Sequence, residues 1–310
     1  MEQMDKKLSY EEAIVRAGDT LHRFPLMKIR GIPLMEHIAQ NWSSIWAFRP
    51  DPSDLLISTY PKAGTTWTQE IVDLLLNNGD PDVSKRAPIP VRIPFLEIFS
   101  PPPIPSGLDL LKDMDPPRVI KTHLPIQLVP EGFWENKCKV IYVARNAKDN
   151  LVSYYHFDRM NQTQPEPGPW DGYIRKFMKG DLGWGSWYDH VKGYWKERER
   201  RNILYLFYED MKENPRQEII RIMKYLDLSL SDDIIDRIVQ LTSFKAMKDN
   251  PMANYSFMPK PVFDQSISPF MRKGEVGDWA NHFSPEQAKV FDEDYTRQME
   301  GVDIPFRSNI

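Results

Sequence analysis

Apolar and β-branched residues gather in four short runs, at 55–59, 118–122, 139–144 and 203–208. Runs of this length without polar alternation mark strands covered on both faces, as in a parallel sheet. Between and after them apolar positions recur at helical spacing, over 65–76, 149–160, 170–178, 186–200, 215–226, 231–241 and 285–299. Strands alternating with helices favour a parallel α/β core with right-handed crossovers; the late helices should pack on the sheet without extending it. The expected fold is a single α/β domain over residues 31–310, a central parallel β-sheet flanked by helices. Residues 1–30 read as a partly flexible N-terminal extension. Prolines gather at 88–94, 101–105 and 165–169, where they stiffen loops that could wall a pocket.

Candidate chemistry begins after the first run. Tyr60-Pro61-Lys62-Ala63-Gly64-Thr65-Thr66-Trp67 lies between a predicted strand and a predicted helix, where backbone amides and the helix dipole favour a bound phosphate. Gly64 lets the backbone approach closely, Lys62 supplies a point charge, and Thr65 and Thr66 offer hydroxyls. A tight turn with a capping threonine would explain Gly64 and Thr65, but not the lysine, paired threonines and tryptophan together. In a Walker loop lysine follows glycine and the next hydroxyl meets magnesium. Here Lys62 precedes Gly64, so an ordinary triphosphate hydrolase or kinase fits less well.

The net charge of −4 over 310 residues lacks the broad basic footprint of nucleic-acid binding, so no nucleic-acid partner is expected and any anion must be captured locally. Residues 1–16 mix acids and bases without an apolar core, and nothing approaches the ~20 apolar residues of a membrane span. No membrane partner is expected. The one cysteine, Cys138, cannot form an internal disulfide and sits in an apolar run, which suits a buried thiol in a reducing, cytoplasmic setting. No metal-ligand cluster stands out; the pair Glu209-Asp210 is equally well explained as a helix start.

With Lys121-Thr122-His123-Leu124-Pro125 and Arg272-Lys273-Gly274-Glu275-Val276-Gly277-Asp278-Trp279, the loop closely resembles the cytosolic sulfotransferases. The resemblance runs from about Gly31 to the C-terminus and takes in 142–149, Ser153-Tyr154-Tyr155-His156-Phe157 and 208–215. Phe95-Leu96-Glu97 and Phe306-Arg307-Ser308 look most like the phenol-type branch, family 1. The resemblance implies 3′-phosphoadenosine 5′-phosphosulfate (PAPS) as donor, PAP as product, and no metal requirement. It places the donor's 5′ end on Lys62, Ala63, Gly64, Thr65, Thr66 and Trp67, and its 3′-phosphate against Arg145, Ser153, Arg272, Lys273 and Gly274, with Met271 beside them. Adenine would meet Trp67, Tyr208, Thr242 and Phe244. Arg145 directly follows a predicted strand, the ligand-facing end of an α/β sheet, and its guanidinium can fork onto a phosphate.

His123 follows the second strand, and Pro125 biases Leu124 toward an extended backbone that could aim the imidazole at a cleft. A histidine titrates near pH ~6.5, which suits it to take a proton from an acceptor hydroxyl as sulfur is attacked. His22, His37, His190 and His282 have no such setting. Lys121 lies on the same strand face as His123 and could meet charge on the transferred group, while Lys62 stabilises the leaving oxygen. His123, Lys62, Lys121 and Ser153 are the catalytic candidates.

By resemblance a small acceptor, phenolic in type and offering a hydroxyl or an amine, would sit among Phe95, Lys121, His123, Phe157, Tyr255 and Val262. Asn161 and Gln164 depart from the phenol-type pattern and bear on acceptor preference. Ala280, Ser284, Pro285 and Lys289 depart from the short C-terminal motif through which many relatives dimerise. The expectation is a monomer, or a dimer through another surface. A nucleotide-dependent kinase and a non-catalytic nucleotide binder remain as alternatives at this stage.

Overall fold

In the computed structural model, which describes residues 8–309, the N-terminal segment carries its own elements. Helix α1, Tyr10–Ala17, opens with a capping box between Ser9 and Glu12 and buries Ala13, Ile14 and Ala17. Strands β1, Leu26–Ile29, and β2, Ile32–Met35, pair antiparallel across Arg30 and Gly31, whose φ angles of 48° and 84° suit a tight hairpin turn. The expected division after residue 30 falls inside this turn, so the hairpin joins the two portions.

The four apolar runs form one parallel sheet: β3, Leu55–Thr59, β4, Val119–Thr122, β5, Lys139–Ala144, and β6, Ile203–Phe207, in the order β4-β3-β5-β6. Around it lie α2, Thr65–Leu76, α3, Ala147–Met160, α4, Trp170–Lys179, α5, Trp187–Glu197, α6, Pro215–Tyr225, α7, Asp232–Leu241, and α8, Pro285–Gln298. Strand residues alternate between the two covered faces. Leu55, Ile57, Ile141, Val143 and Leu206 meet Ile71 and Leu75 of α2, Ile219 and Ile222 of α6, and Ile235 and Ile238 of α7. Leu56, Val140, Tyr142 and Tyr205 face α3, α4, α5 and α8 through Leu151, Phe177, Tyr194 and Phe291. Each such side chain contributes roughly 1.5–3 kcal/mol by leaving water.

Two helix ends differ from the sequence pattern by more than one residue. The helix expected from residue 149 starts at Ala147, because the Asn146 side chain accepts from the Asp149 N–H and caps it. The helix expected through residue 200 ends at Glu197; Arg200 and Arg201 then turn back to pair with Glu197, and the chain reverses at Asn202 with φ 50°. Cys138 is buried, as read from its run, and its thiol faces the Asp51 carbonyl. Because β4 and β5 flank β3, the chain leaves the sheet in opposite directions beside the end of β3. The resulting crevice receives the segments after β3, β4 and β5, namely the 60–64 loop, His123 and Arg145.

Candidate active site

The loop after β3 is built for close approach. Gly64 caps α2 with φ 107°, and a Cβ there would lie 2.9 Å from the Tyr208 ring, so the position requires glycine. The N–H groups of the first turn, at Thr65, Thr66 and Trp67, have no preceding helical carbonyl to bond and present positive partial charge to an anion. Lys62, at φ 68°, places its ammonium 4.1 Å from the Phe270 ring centroid and 4.6 Å from that of Phe157. Burial, together with Lys121, Arg145 and Arg272, lowers its pKa to about 7.

Arg145 lies 4.3 Å above Tyr208 and donates to the carbonyls of Lys62 and Glu275, each at 3.2 Å. Its Nε is buried without a partner, as is the indole Nε1 of Trp67, which packs edgewise on Tyr208. Arg272 and Lys273, expected at the 3′-phosphate, are both tied to Asp278, at 2.6 and 2.5 Å. Burial opposes the Asp278 charge, but hydrogen bonds from Lys273, Asn281 and Arg272 outweigh it and hold the carboxyl well below the usual range. Next to the pair, Gly274 at φ 65° leaves room for Phe244, whose ring would stand 2.2 Å from an added Cβ. Among the described residues Lys62, Lys121 and Arg145 have no carboxylate pairing, a surplus of cations suited to a polyanion.

Residues 94–97 run beside β4: Leu96 donates to the Lys121 carbonyl at 2.8 Å and Lys121 donates to that of Pro94 at 2.9 Å. This brings Glu97 beneath His123. The fully buried carboxylate accepts from Thr122 Oγ1, the His123 N–H and Trp184 Nε1, at 2.8, 2.8 and 3.0 Å. Burial still pushes its pKa up to about 7. His123 Nδ1 stands 2.8 Å from the Thr59 carbonyl, which can only accept, so the proton is assigned to Nδ1 and Nε2 keeps its lone pair. Burial and the Lys121 charge lower the imidazole pKa well below its usual value, so the ring is neutral. The Phe95 and Trp184 rings pack nearly perpendicular to it, at centroid distances of 5.0 and 5.2 Å. Lys121 places its ammonium 4.1 Å from the Phe95 ring, its pKa lowered by burial, against the pull of Glu97, to about 8.

One cavity of about 300 Å³ joins these groups. Lys62, Gly64, Thr65, Thr66, Trp67, Arg145, Ser153, Tyr208, Thr242, Phe244, Met271, Arg272, Lys273 and Gly274 line it, as do Phe95, Lys121, His123, Phe157, Tyr255 and Val262. Ala63 is the exception: its side chain is fully buried behind the loop and does not reach the cavity. Asn161 and Gln164 also line the wall. Their polar atoms are partly engaged, Asn161 Oδ1 by the Thr163 N–H and hydroxyl, and Gln164 Oε1 by the Tyr154 hydroxyl.

Sequence reasoning passed over Phe263, Phe270, Trp184, and Tyr10 and Ile14 of α1, all at the cavity, because aromatic and apolar side chains carry no pocket signature of their own. It also passed over His190, which donates from Nε2 to the His123 carbonyl at 2.9 Å and accepts from Tyr142 through Nδ1. Its position on a predicted helix gave no hint that α5 would face the end of β4.

A parallel α/β sheet with a glycine-capped anion loop, buried cations and a neutral histidine at one crevice defines a class of protein that transfers a charged group from a nucleotide-like donor. The family description "Sulfotransferase domain" matches residues 52–303. The chain is 53% identical over 281 residues to Sulfotransferase 1C2 of Rattus norvegicus, covering 91% of this chain and 95% of that protein. It is 51% identical over 288 residues to Sulfotransferase 1 family member D1 of Mus musculus, covering 93% and 97%. Similar solved structures are retinol dehydratase in complex with androsterone and inactive cofactor PAP, at 25% identity and TM-score 0.82 over 91% of this chain and 92% of that one, and a mouse sulfotransferase complexed with PAP, at 31% and 0.74 over 90% and 96%. The protein belongs to the sulfotransferases, among the family 1 enzymes.

Proposed function

We propose that the protein transfers the sulfuryl group of PAPS to the hydroxyl of a small phenolic acceptor, with His123 as general base. The observation that carries this reading is the neutral His123, with Nδ1–H on the Thr59 carbonyl and Nε2 free, flanked in one cavity by Lys62 and Lys121. When bound, PAPS supplies an electrophilic sulfur whose bond to a phosphate oxygen breaks as the acceptor oxygen bonds to it, releasing PAP. His123 Nε2 takes the acceptor's hydroxyl proton, so the oxygen does not carry a full positive charge as it attacks. The Thr59 carbonyl steadies the imidazolium that results. Lys121 faces negative charge on the transferred group, and Lys62 faces the departing phosphate oxygen. Ser153 lies on α3 at the same wall, within the donor half.

The residues present suit a nucleotide with two anionic ends. The helix N-terminus and Lys62 serve one end; Arg145, Arg272 and Lys273 serve the other. The edgewise pair Trp67 and Tyr208, with Phe244 seated on Gly274, gives an aromatic slot for a purine. A sulfuryl group carries less negative charge than a terminal phosphoryl group, so fixed cations meet the demand that magnesium meets in a kinase. The family match over residues 52–303 favours a cytoplasmic location, and because Tyr10 and Ile14 also line the cavity, the catalytic unit expected over 31–310 takes in α1 as well. No helix among the described residues is long and apolar enough to cross a membrane. Ser284 caps α8 and Pro285 opens it, so these two positions serve the helix start, and we infer a monomer or a dimer through another surface. A dimer in light scattering that changes at Ser284 and Pro285 abolish would overturn that inference.

The direct test incubates the protein with labelled PAPS or labelled ATP and a panel of phenols. Sulfate transfer from PAPS is expected; phosphate transfer from ATP with none from PAPS refutes the reading. His123→Ala should lower turnover about 100-fold or more with donor affinity nearly unchanged. Unchanged turnover removes His123 as the base.

A further inference from the structure

The cavity extends past the aromatic residues around Lys62 to α1. Phe157 lies beneath the Lys62 ammonium, Phe263 packs edgewise on Phe157 at 5.6 Å, and Phe263 in turn packs against the cluster that Ala13, Ile14 and Ala17 form with Ile104 and Val262. A second track runs from Phe270 to Tyr255 at 4.3 Å, to Phe257 at 5.8 Å and to Tyr10 at 6.4 Å. Tyr10 and Ile14 both line the cavity, whereas Val15, on the opposite face of the same helix, is 64% exposed. A capping box fixes the start of the helix, and Ile104 and Val262 from two separate loops pack against it.

We propose that α1 is the far wall of the acceptor site and selects acceptors by the length of their apolar part. This rests on the sulfuryl-transfer reading above. On the second track three rings, Phe270, Tyr255 and Phe257, separate Lys62 from the Tyr10 ring of α1, so a one-ring phenol with its hydroxyl at His123 ends short of the helix. A phenol with a long apolar substituent para to the hydroxyl reaches it. Ile14, Ile104, Met258, Val262 and Phe263 give this part of the cavity a largely apolar lining, so the matching ligand chemistry is a hydrocarbon tail or a further carbocyclic ring. A pocket wall at this distance discriminates by van der Waals fit, and an added side chain in a packed wall acts by steric exclusion.

The test compares 4-methylphenol with 4-octylphenol, which share the reacting hydroxyl and differ in the tail. In Ile14→Trp, kcat/KM for 4-octylphenol is expected to fall at least about 10-fold, with 4-methylphenol and the KM for PAPS within about twofold of wild type. Val15→Trp on the exposed face should leave both phenols unchanged. Tyr10→Ala, a milder change should Ile14→Trp fail to fold, is expected to shift the ratio of the two phenols at least about threefold while the PAPS KM stays constant. Equal changes for both phenols, or none for either, overturn the role of α1. A wild-type chain that transfers sulfate to neither phenol overturns the phenolic-acceptor reading, and the role of α1 with it.

Discussion

Lys62 and Lys121 are buried cations without carboxylate pairs, with pKa values lowered to about 7 and about 8. Adding an anionic nucleotide restores the environment that favours their charged forms, so donor binding must take up protons. At pH 7.5 a lysine with pKa about 7 is roughly three-quarters neutral and one with pKa about 8 roughly one-quarter neutral, which gives an uptake of about one proton per nucleotide. At pH 6 the same arithmetic leaves about 0.1 proton. The two groups interact, so the uptake belongs to the pair, and replacing one partner isolates its share.

Titration calorimetry of PAP in buffers of different ionisation enthalpy measures the uptake directly. Lys62→Arg keeps the charge and cannot titrate, so wild type should exceed it by about 0.7 proton at pH 7.5. The nucleotide's own phosphate ionisation cancels in that difference. The sign extends to stability. Both lysines bind fewer protons folded than unfolded between pH ~7 and ~10.4, so donor-free stability rises across that window, by at most ~1.4 kcal/mol per pH unit for one proton, while donor affinity falls. A difference below about 0.2 proton, or donor affinity flat from pH 6.5 to 9, refutes the assignment of depressed lysines at the donor site.

Gly274→Ala puts a Cβ 2.2 Å from the Phe244 ring at a φ of 65°, so the ring must shift from the proposed purine slot. The KM for PAPS should rise about 10-fold or more with acceptor KM little changed, and an unchanged donor KM places adenine elsewhere. Arg92 is buried between Glu70 and Asp73, on the helix that starts at the anion loop. Arg86 still pairs with Asp73 in Arg92→Leu, so Glu70 is the carboxylate left uncompensated, and the change should cost about 3–5 kcal/mol in denaturant unfolding, whereas a loss under about 1 kcal/mol shows that the Arg92 pairs contribute little.

The parallel sheet, its flanking helices and the loop after β3 were all legible in the sequence because each has a local cause. Apolar runs bury strands on both faces, helical spacing makes a single packed stripe, and Gly64 between Lys62 and Thr65 demands one backbone geometry. His123 and Lys121 could be singled out because a strand's alternation places them on one face. Tertiary structure alone decided that Asp278 holds Arg272 and Lys273, that Glu97 lies beneath His123, and that His190 reaches the His123 carbonyl. The Glu97 and His190 contacts link residues brought together by the sheet order β4-β3-β5-β6 and by loops crossing its edge, whereas Asp278 turns back on Arg272 and Lys273 within one loop that has no periodic pattern to read. Helix α1 is the clearest case. Its sequence carries a capping box and an apolar stripe, but that the stripe walls the cavity depends on Ile104 and Val262, which lie about 90 and 250 residues further along the chain. Local pattern determines which elements form; contacts between distant segments determine which of their faces become the site.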